Sequence, residues 1–451
     1  MRVAGRRPVA RQAGTSFPAR RYGLALLLSL ALGGCRTADR LDPAQQALAE
    51  AARQAGATEL KAVAREDGGL QLSGKLDGDQ FALVAPKDWN RQAMLFAHGY
   101  TQPGTPVEVP VDPIAKGKDA NGTFRTPYSQ GFLIGHSAYD KAGMDVSGAV
   151  ENTHRLTGLV NALGSTRNYL VGSSMGGNIV IALLDKHPQD FAGAIANCGV
   201  VGDWPAELGW INDVRAAYNY FTQGTRYALP GEKSITRSAM PSPSFGPLRM
   251  WKIRRMAKPL YALFDADKAN PGGPESRIID NIAAVADTHR DAASFGLPIL
   301  ISAFGMDDFN AVFGGQIFDN TARVYRSPYL DAAGNAGLNA GMERVKADPA
   351  AVERANAWFK ASGRIGVPLL TLYNETDSLV PSAMHEGKLR AAVAAAGNAD
   401  RLLQRAVPAM TVPLPMSKLE GLAHCGFTPQ QTTDAWNDLR RWVETGAKPA
   451  Q

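Results

Sequence analysis

The chain has 451 residues, a formal net charge of +6 and three cysteines. That length suits one large domain with an insertion, or two domains, and the composition is that of an ordinary globular protein. The basic balance does not point to a nucleic-acid partner. Arg2, Arg6, Arg7, Arg11, Arg20 and Arg21 lie in residues 1–34, which hold no acid, and those six arginines account for the whole net charge.

Residues 1–34 read as a signal peptide of the lipoprotein type. Arg20-Arg21 precede the apolar run Leu24–Leu32, too short to cross a bilayer as a helix. The run ends in Leu32-Gly33-Gly34-Cys35, which resembles a bacterial lipobox, with Cys35 as the lipidation site and mature N-terminus. Arg36 follows where many such lipoproteins carry an inner-membrane retention Asp, so the resemblance implies the outer membrane, facing periplasm or cell surface. The alternative is a soluble periplasmic or secreted protein. Contact with a membrane is expected through the N-terminal lipid only. Cys198 and Cys425 remain, and an exported protein permits a bond between them.

Residues 35–57 read as a tether and first helix, opened by Asp42-Pro43. Residues 58–204 form the first part of a core. Strands are predicted at Leu70–Gly74, Gln80–Ala85, Ala93–Ala97, Gly131–Ile134 and Phe191–Asn197, with a long Pro/Gly/Asp-rich loop over Thr101–Gln130. A helix is predicted within Asp145–Leu163. Residues 205–362 show aromatic clusters and amphipathic helices without strand alternation, and read as a cap inserted over the sheet edge. Trp204, Trp210 and Tyr218 are candidates either for pocket lining or for the cap's own core. Residues 363–451 resume the core, with strands at Val367–Tyr373 and Leu402–Val407. In the closing helix Thr428 is the N-cap, Pro429 the first position, and Gly446 lies past the end. The fold class predicted is α/β: a doubly wound, mostly parallel sheet with a large, mainly helical cap.

The chemistry centres on Gly172-Ser173-Ser174-Met175-Gly176, which fits G-x-S-x-G between an apolar strand, Tyr169-Leu170-Val171, and a helix. A serine on such a strand-to-helix corner has its hydroxyl thrust out above the sheet, and the glycines let strand and helix approach. Ser174 is the candidate nucleophile. His424, in the loop before the closing helix, is the candidate base. Asp377, just after a strand, is the candidate acid; Asp203 is the alternative acid, and Glu375 a further one. The backbone N–H groups of Tyr100 and Met175 are the candidate oxyanion hole. No cofactor is expected, and no metal site is read from the spacing of His, Cys and acidic residues.

Several segments carry a resemblance: Asp88-Trp89-Asn90, His98-Gly99-Tyr100, Glu151-Asn152-Thr153-His154-Arg155, Gly172–Gly177 and His424-Cys425. They look like those of exported bacterial serine esterases of the α/β-hydrolase superfamily, within the prolyl-oligopeptidase-like group. The pair His424-Cys425 also resembles the tannase/feruloyl-esterase pattern, in which a cysteine before the serine bonds to the one after the histidine. Here Ser173 holds that earlier position. The resemblance implies a Ser-His-Asp hydrolase acting on a small-molecule ester. A peptidase or amidase with the same triad is the alternative, and a catalytically inactive scaffold lipoprotein is a third. Cys198 ends the strand after the nucleophile strand and Cys425 follows His424, so both are expected at one rim and joined by a disulfide; two buried free thiols are the other reading.

Overall fold

The computed structural model describes residues 41–450 apart from 117, 120 and 242–245. Residues 1–34, read above as a signal peptide, and Cys35 and Arg36 lie outside the described residues. Asp42 opens α1 (Pro43–Gln54) with a reciprocal capping box to Gln45 and Pro43 in the first turn. Strands β1 (Ala57–Ala64), β2 (Leu70–Leu76), β3 (Asp79–Ala85) and β4 (Gln92–Ala97) follow, then the short α2 (Arg125–Ser129) and β5 (Leu133–Ser137). Next come α3 (Val146–Ala162), β6 (Arg167–Ser173), α4 (Met175–Lys186) and β7 (Gly193–Asn197).

Among the described residues six helices fill the interval before the next strand: α5 (Trp204–Thr222), α6 (Gly246–Ala269), α7 (Pro274–Ala286), α8 (Ala292–Phe313), α9 (Ala332–Gly341) and α10 (Pro349–Phe359). Then follow β8 (Leu369–Asn374), α11 (Ser382–Ala395), β9 (Leu402–Val407), the two short strands β10 (Thr411–Pro413) and β11 (Glu420–Leu422), and α12 (Pro429–Thr445). The large sheet runs β1-β2-β3-β5-β4-β6-β7-β8-β9. Pairing is antiparallel from β1 to β5 and parallel from β5 to β9.

The central strands are apolar on both faces because both are covered. Alternation along them assigns each side chain to one layer. Met94, Tyr169, Val171, Ile195, Leu370 and Leu372 pack under Trp436, Leu439 and Trp442 of α12. Leu95, Leu170 and Ala194 face the opposite way, toward Ile179, Val180 and Leu183 of α4 and Leu156 and Val160 of α3. The closing helix is held as its sequence indicates: Thr428 and Gln431 form a capping box, and Gly446 ends the helix at φ 72°.

Within the inserted helices α8 is the hub. Phe295, Ile299, Ala303, Met306, Phe309 and Phe313 are all buried, and α8 packs against α5, α6, α10 and β11. The buried Arg215 in this layer is paired. Arg215 of α5 donates to the carbonyls of Arg237 and Glu232, each at 2.7 Å, and to Ser302 Oγ at 3.1 Å. Burial still pushes its guanidinium down to about 10, against the pull of Glu343, Glu232 and Asp307. Among the described residues no helix is long and apolar enough to cross a membrane.

Some elements differ from the sequence-based expectation. β1 falls in a stretch not expected as a strand: it is an edge strand with alternating exposure, and Glu59 has φ 50° at a register shift. The β10–β11 hairpin was also not expected.

Candidate active site

β6 ends at Ser173, and Ser174 is the N-cap of α4 with φ 60° and ψ −123°. A non-glycine residue in that conformation is strained, by about 1–3 kcal/mol, and persists only where its surroundings hold it. They do so by close approach. A Cβ on Gly172 would stand 2.2 Å from the Gly176 carbonyl oxygen, and one on Gly176 would stand 2.0 Å from that of Ala97. Neither site admits a side chain. The Ser174 N–H donates to the Asn197 carbonyl at 3.0 Å, tying the corner to β7.

Asp377 sits in the loop after β8 and His424 in the loop after β11. His424 Nδ1 lies 2.8 and 3.1 Å from the two oxygens of Asp377, and its Nε2 lies 2.9 Å from Ser174 Oγ. An ionised carboxylate only accepts, so Nδ1 carries the proton and Nε2 is left to accept from the serine hydroxyl. The Asp377 carboxylate also accepts the N–H groups of Leu379, Val380 and Cys425 at 2.8 to 3.0 Å. Burial raises its pKa, but His424 and these backbone donors outweigh burial, so it is held below the usual carboxylate range. For His424, burial works against the imidazolium and is the largest single influence. The charge and hydrogen bond of Asp377, with the charge of Glu207, overcome it and hold the ring above its ordinary value.

The histidine loop is clamped from below. Asn374, the last residue of β8, donates to the Gly426 carbonyl at 2.8 Å and accepts the Gly426 N–H at 3.0 Å. Cys425 is disulfide-bonded to Cys198 across a Cα–Cα distance of 5.3 Å. The bond expected at this rim is therefore present.

Gly99 brings the loop after β4 against Ser174: a Cβ there would lie 3.2 Å from Ser174 Cβ and 3.7 Å from its Oγ. Tyr100 is the next residue in that loop, and Met175 is the first residue of α4, where N–H groups lack intrahelical acceptors. The Tyr100 side chain turns elsewhere. Its ring stacks on Phe309 at 5.4 Å, and its hydroxyl is buried against Gly305 of α8 without a hydrogen-bond partner. Burial and the nearby charge of Asp308 push that hydroxyl well above its usual pKa.

Asp203 is not brought to the histidine. It caps α5 by accepting the Ala206 N–H at 2.8 Å, and its other oxygen pairs with Lys388 at 2.5 Å. Glu375 is exposed. Sequence reasoning missed Glu207 and His385. Their side chains are almost wholly buried, with His385 Nε2 2.9 Å from Glu207 Oε2. The Gly202 N–H donates to His385 Nδ1 at 3.2 Å, so Nε2 carries the proton and donates to Glu207. Glu207 acts on both His424 and Asp377 through its charge. No motif marks this pair: a Glu in one helix and a His in another, far apart in sequence, meet only in the folded chain.

Two groups of side chains among the described residues have metal-ligand proximity, where the sequence spacing gave no such site. In Cys198, His424 and Cys425 the sulfurs are joined to each other. In His154, His187 and Asp190 the two rings stack with planes 13° apart and centroids 3.8 Å apart, so their in-plane lone pairs run parallel and do not converge. His154 Nδ1 is hydrogen-bonded to Asp190 at 2.6 Å.

Beside the triad is a cavity of about 750 Å³. Ser173, His424 and Cys425 border it on one side, Ile253, Met256, Leu260 and Tyr261 of α6 and Leu297 and Leu300 of α8 roof it, and Leu414 and Met416 of the hairpin close a third side. Among the described residues its acidic and basic lining side chains are His424, Lys118 and Asp119. Trp204, Trp210 and Tyr218 do not line it. They are buried in the insertion's own packing, where the Trp204 indole donates to Asn178 at 3.1 Å and the Tyr218 hydroxyl to the Tyr227 carbonyl at 3.0 Å.

A family model described as the alpha/beta hydrolase fold matches residues 152–264, from α3 through the elbow into α6. The architecture is the α/β-hydrolase fold. No curated protein matches the sequence. Among solved structures, feruloyl esterase B from Aspergillus oryzae is 14% identical with a TM-score of 0.38, covering 84% of this chain and 81% of its own. The rice cell wall degrading esterase LipA from Xanthomonas oryzae is 13% identical with a TM-score of 0.38, covering 81% and 88%. A thermophilic esterase from Thermogutta terrifontis is 14% identical with a TM-score of 0.36, covering 86% and 100%.

Proposed function

We propose that the protein is a serine hydrolase that cleaves carboxylic esters through an acyl-enzyme. The observation that carries this is the continuous hydrogen-bonded line from Asp377 through both nitrogens of His424 to Ser174 Oγ, at the tip of a strained strand-to-helix corner. Ser174 Oγ attacks the acyl carbon while His424 Nε2 takes its proton. Asp377 keeps the ring in the required tautomer and stabilises the imidazolium. The N–H groups of Tyr100 and Met175 receive the oxyanion, where one such donor typically contributes about 10²–10³-fold. His424 then protonates the leaving alkoxide, and water, deprotonated by the same nitrogen, releases the acid.

The cavity supports a substrate with a bulky uncharged group, since its walls are almost wholly apolar. The disulfide supports an oxidising compartment, in line with export and a lipid on Cys35. A panel of aryl esters and peptidyl anilides tests the reading. Turnover of esters that is absent in Ser174→Ala is expected. Anilide hydrolysis exceeding ester hydrolysis would move the assignment to an amidase, and no turnover of either class would leave an inactive scaffold.

A further inference from the structure

The outward side of α6 gathers cations and exposed apolar side chains. From Gly246 to Phe264 the chain carries Arg249, Lys252, Arg254, Arg255 and Lys258 and no acid. Interleaved with these, Leu248, Met250 and Trp251 are 45%, 44% and 52% exposed. Met416, at the tip of the β10–β11 hairpin, is 45% exposed and belongs to the same patch, with Arg254 Nε 3.3 Å from its sulfur. The Arg255 guanidinium lies 5.1 Å from the Trp251 ring centre. Scattered exposed apolar residues need no explanation, but four gathered among cations on one helix and one loop tip do. The inward side of the same helix roofs the cavity, and Met416 both lines that cavity and reaches solvent.

We infer that the N-terminal half of α6 and the hairpin tip dock onto an anionic lipid surface. Interleaved aromatic, aliphatic and basic side chains suit the headgroup boundary, where the apolar groups enter the acyl layer and the cations meet lipid phosphates. Each cation lost there weakens attachment roughly fivefold. If the ester-hydrolase reading holds, an acyl chain passing Met416 moves from lipid into the cavity beside His424. Docking itself does not depend on that reading. It adds a second membrane contact to the one expected at the N-terminus.

All seven tryptophans are among the described residues; Trp251 is exposed, Trp89 and Trp358 are half-buried and the other four are buried, so the signal lost in Trp251→Phe isolates Trp251. The full-length chain is reconstituted in vesicles whose acyl chains carry bromine, once with zwitterionic lipid and once with added anionic lipid. Quenching is expected with anionic lipid, weaker with zwitterionic lipid, and absent in Trp251→Phe. Arg254→Ala with Arg255→Ala should reduce it at least tenfold in lipid titrations. Ser174→Ala should quench like wild type, which separates docking from turnover. No quenching assignable to Trp251, or equal quenching in both lipids, would overturn the inference. Shielding of Trp251 from aqueous iodide in lipid-free protein, growing with protein concentration, would place a second copy on this face instead.

Discussion

At the scale of single residues, the account rests on three side chains and on what their neighbours do to their protons. Ser174→Ala keeps a residue without added bulk at the same strained corner, so fold and melting temperature should hold while ester turnover falls by at least about 10³-fold. Ser173→Ala should cost far less. His424 must be neutral to accept the serine proton, and its ring is held above the ordinary histidine value. The rate should therefore rise with pH along an acid limb centred above about 6.5. Asp377→Asn removes the main influence that raises His424. The limb should move to lower pH and the rate should fall by about 10⁴-fold. Asp203→Asn should change little, because asparagine still caps α5 and Asp203 bonds Ala206 and Lys388 rather than His424. Rate profiles of the two variants decide between the acids; a severe loss in Asp203→Asn alone would reverse the assignment. That Ser174, His424 and Asp377 meet was legible because each follows a strand, in the order the corner motif demands. Asn374, Glu207 and His385 were not, since their partnerships exist only after the chain has folded.

At the scale of elements, the corner depends on missing side chains. Gly176→Ala drives a methyl into the Ala97 carbonyl and Gly172→Ala drives one into the Gly176 carbonyl. Both should lose several kcal/mol of stability or fail to fold. Gly158 in α3 and Gly387 in α11 are controls, since a Cβ at either meets nothing within 4 Å. Alanine there should stabilise by about 0.5–1 kcal/mol in denaturant melts. The same physics explains which elements sequence revealed. Strands β4, β6, β7 and β8 are buried on both faces and read as unbroken apolar runs. β1 exposes every second side chain at the sheet edge and carries charged residues there, so its pattern is that of a surface segment. β10 and β11 have three residues each, too few for any period to show.

At the scale of the whole molecule, the sheet supplies the triad and the inserted helices supply the cavity. Gly296 of α8 lines that cavity with only Leu260 near its missing Cβ, at 3.8 Å. Gly296→Leu should fill part of the space. It should raise KM about tenfold or more for esters with bulky acyl groups and leave acetate esters nearly unchanged. The disulfide joins positions 227 residues apart. In the chain-entropy model a loop of that length stabilises by at most about 5 kcal/mol. Reduction should lower the midpoint of denaturation and reduce activity together, because the same bond fixes the loop that carries His424. Activity unchanged on full reduction would mean that Asn374 suffices to hold that loop.

The most direct test is to trap the acyl-enzyme. The protein is treated with a serine-directed phosphonate, and separately quenched in acid during turnover of an aryl ester, and the adduct is located by peptide mass spectrometry. The account predicts one phosphonyl group and one acyl group, both on Ser174, with neither formed in His424→Ala at a comparable rate. An adduct on Ser173 or any other residue, or turnover without an acyl adduct under conditions where deacylation is slow, would contradict it.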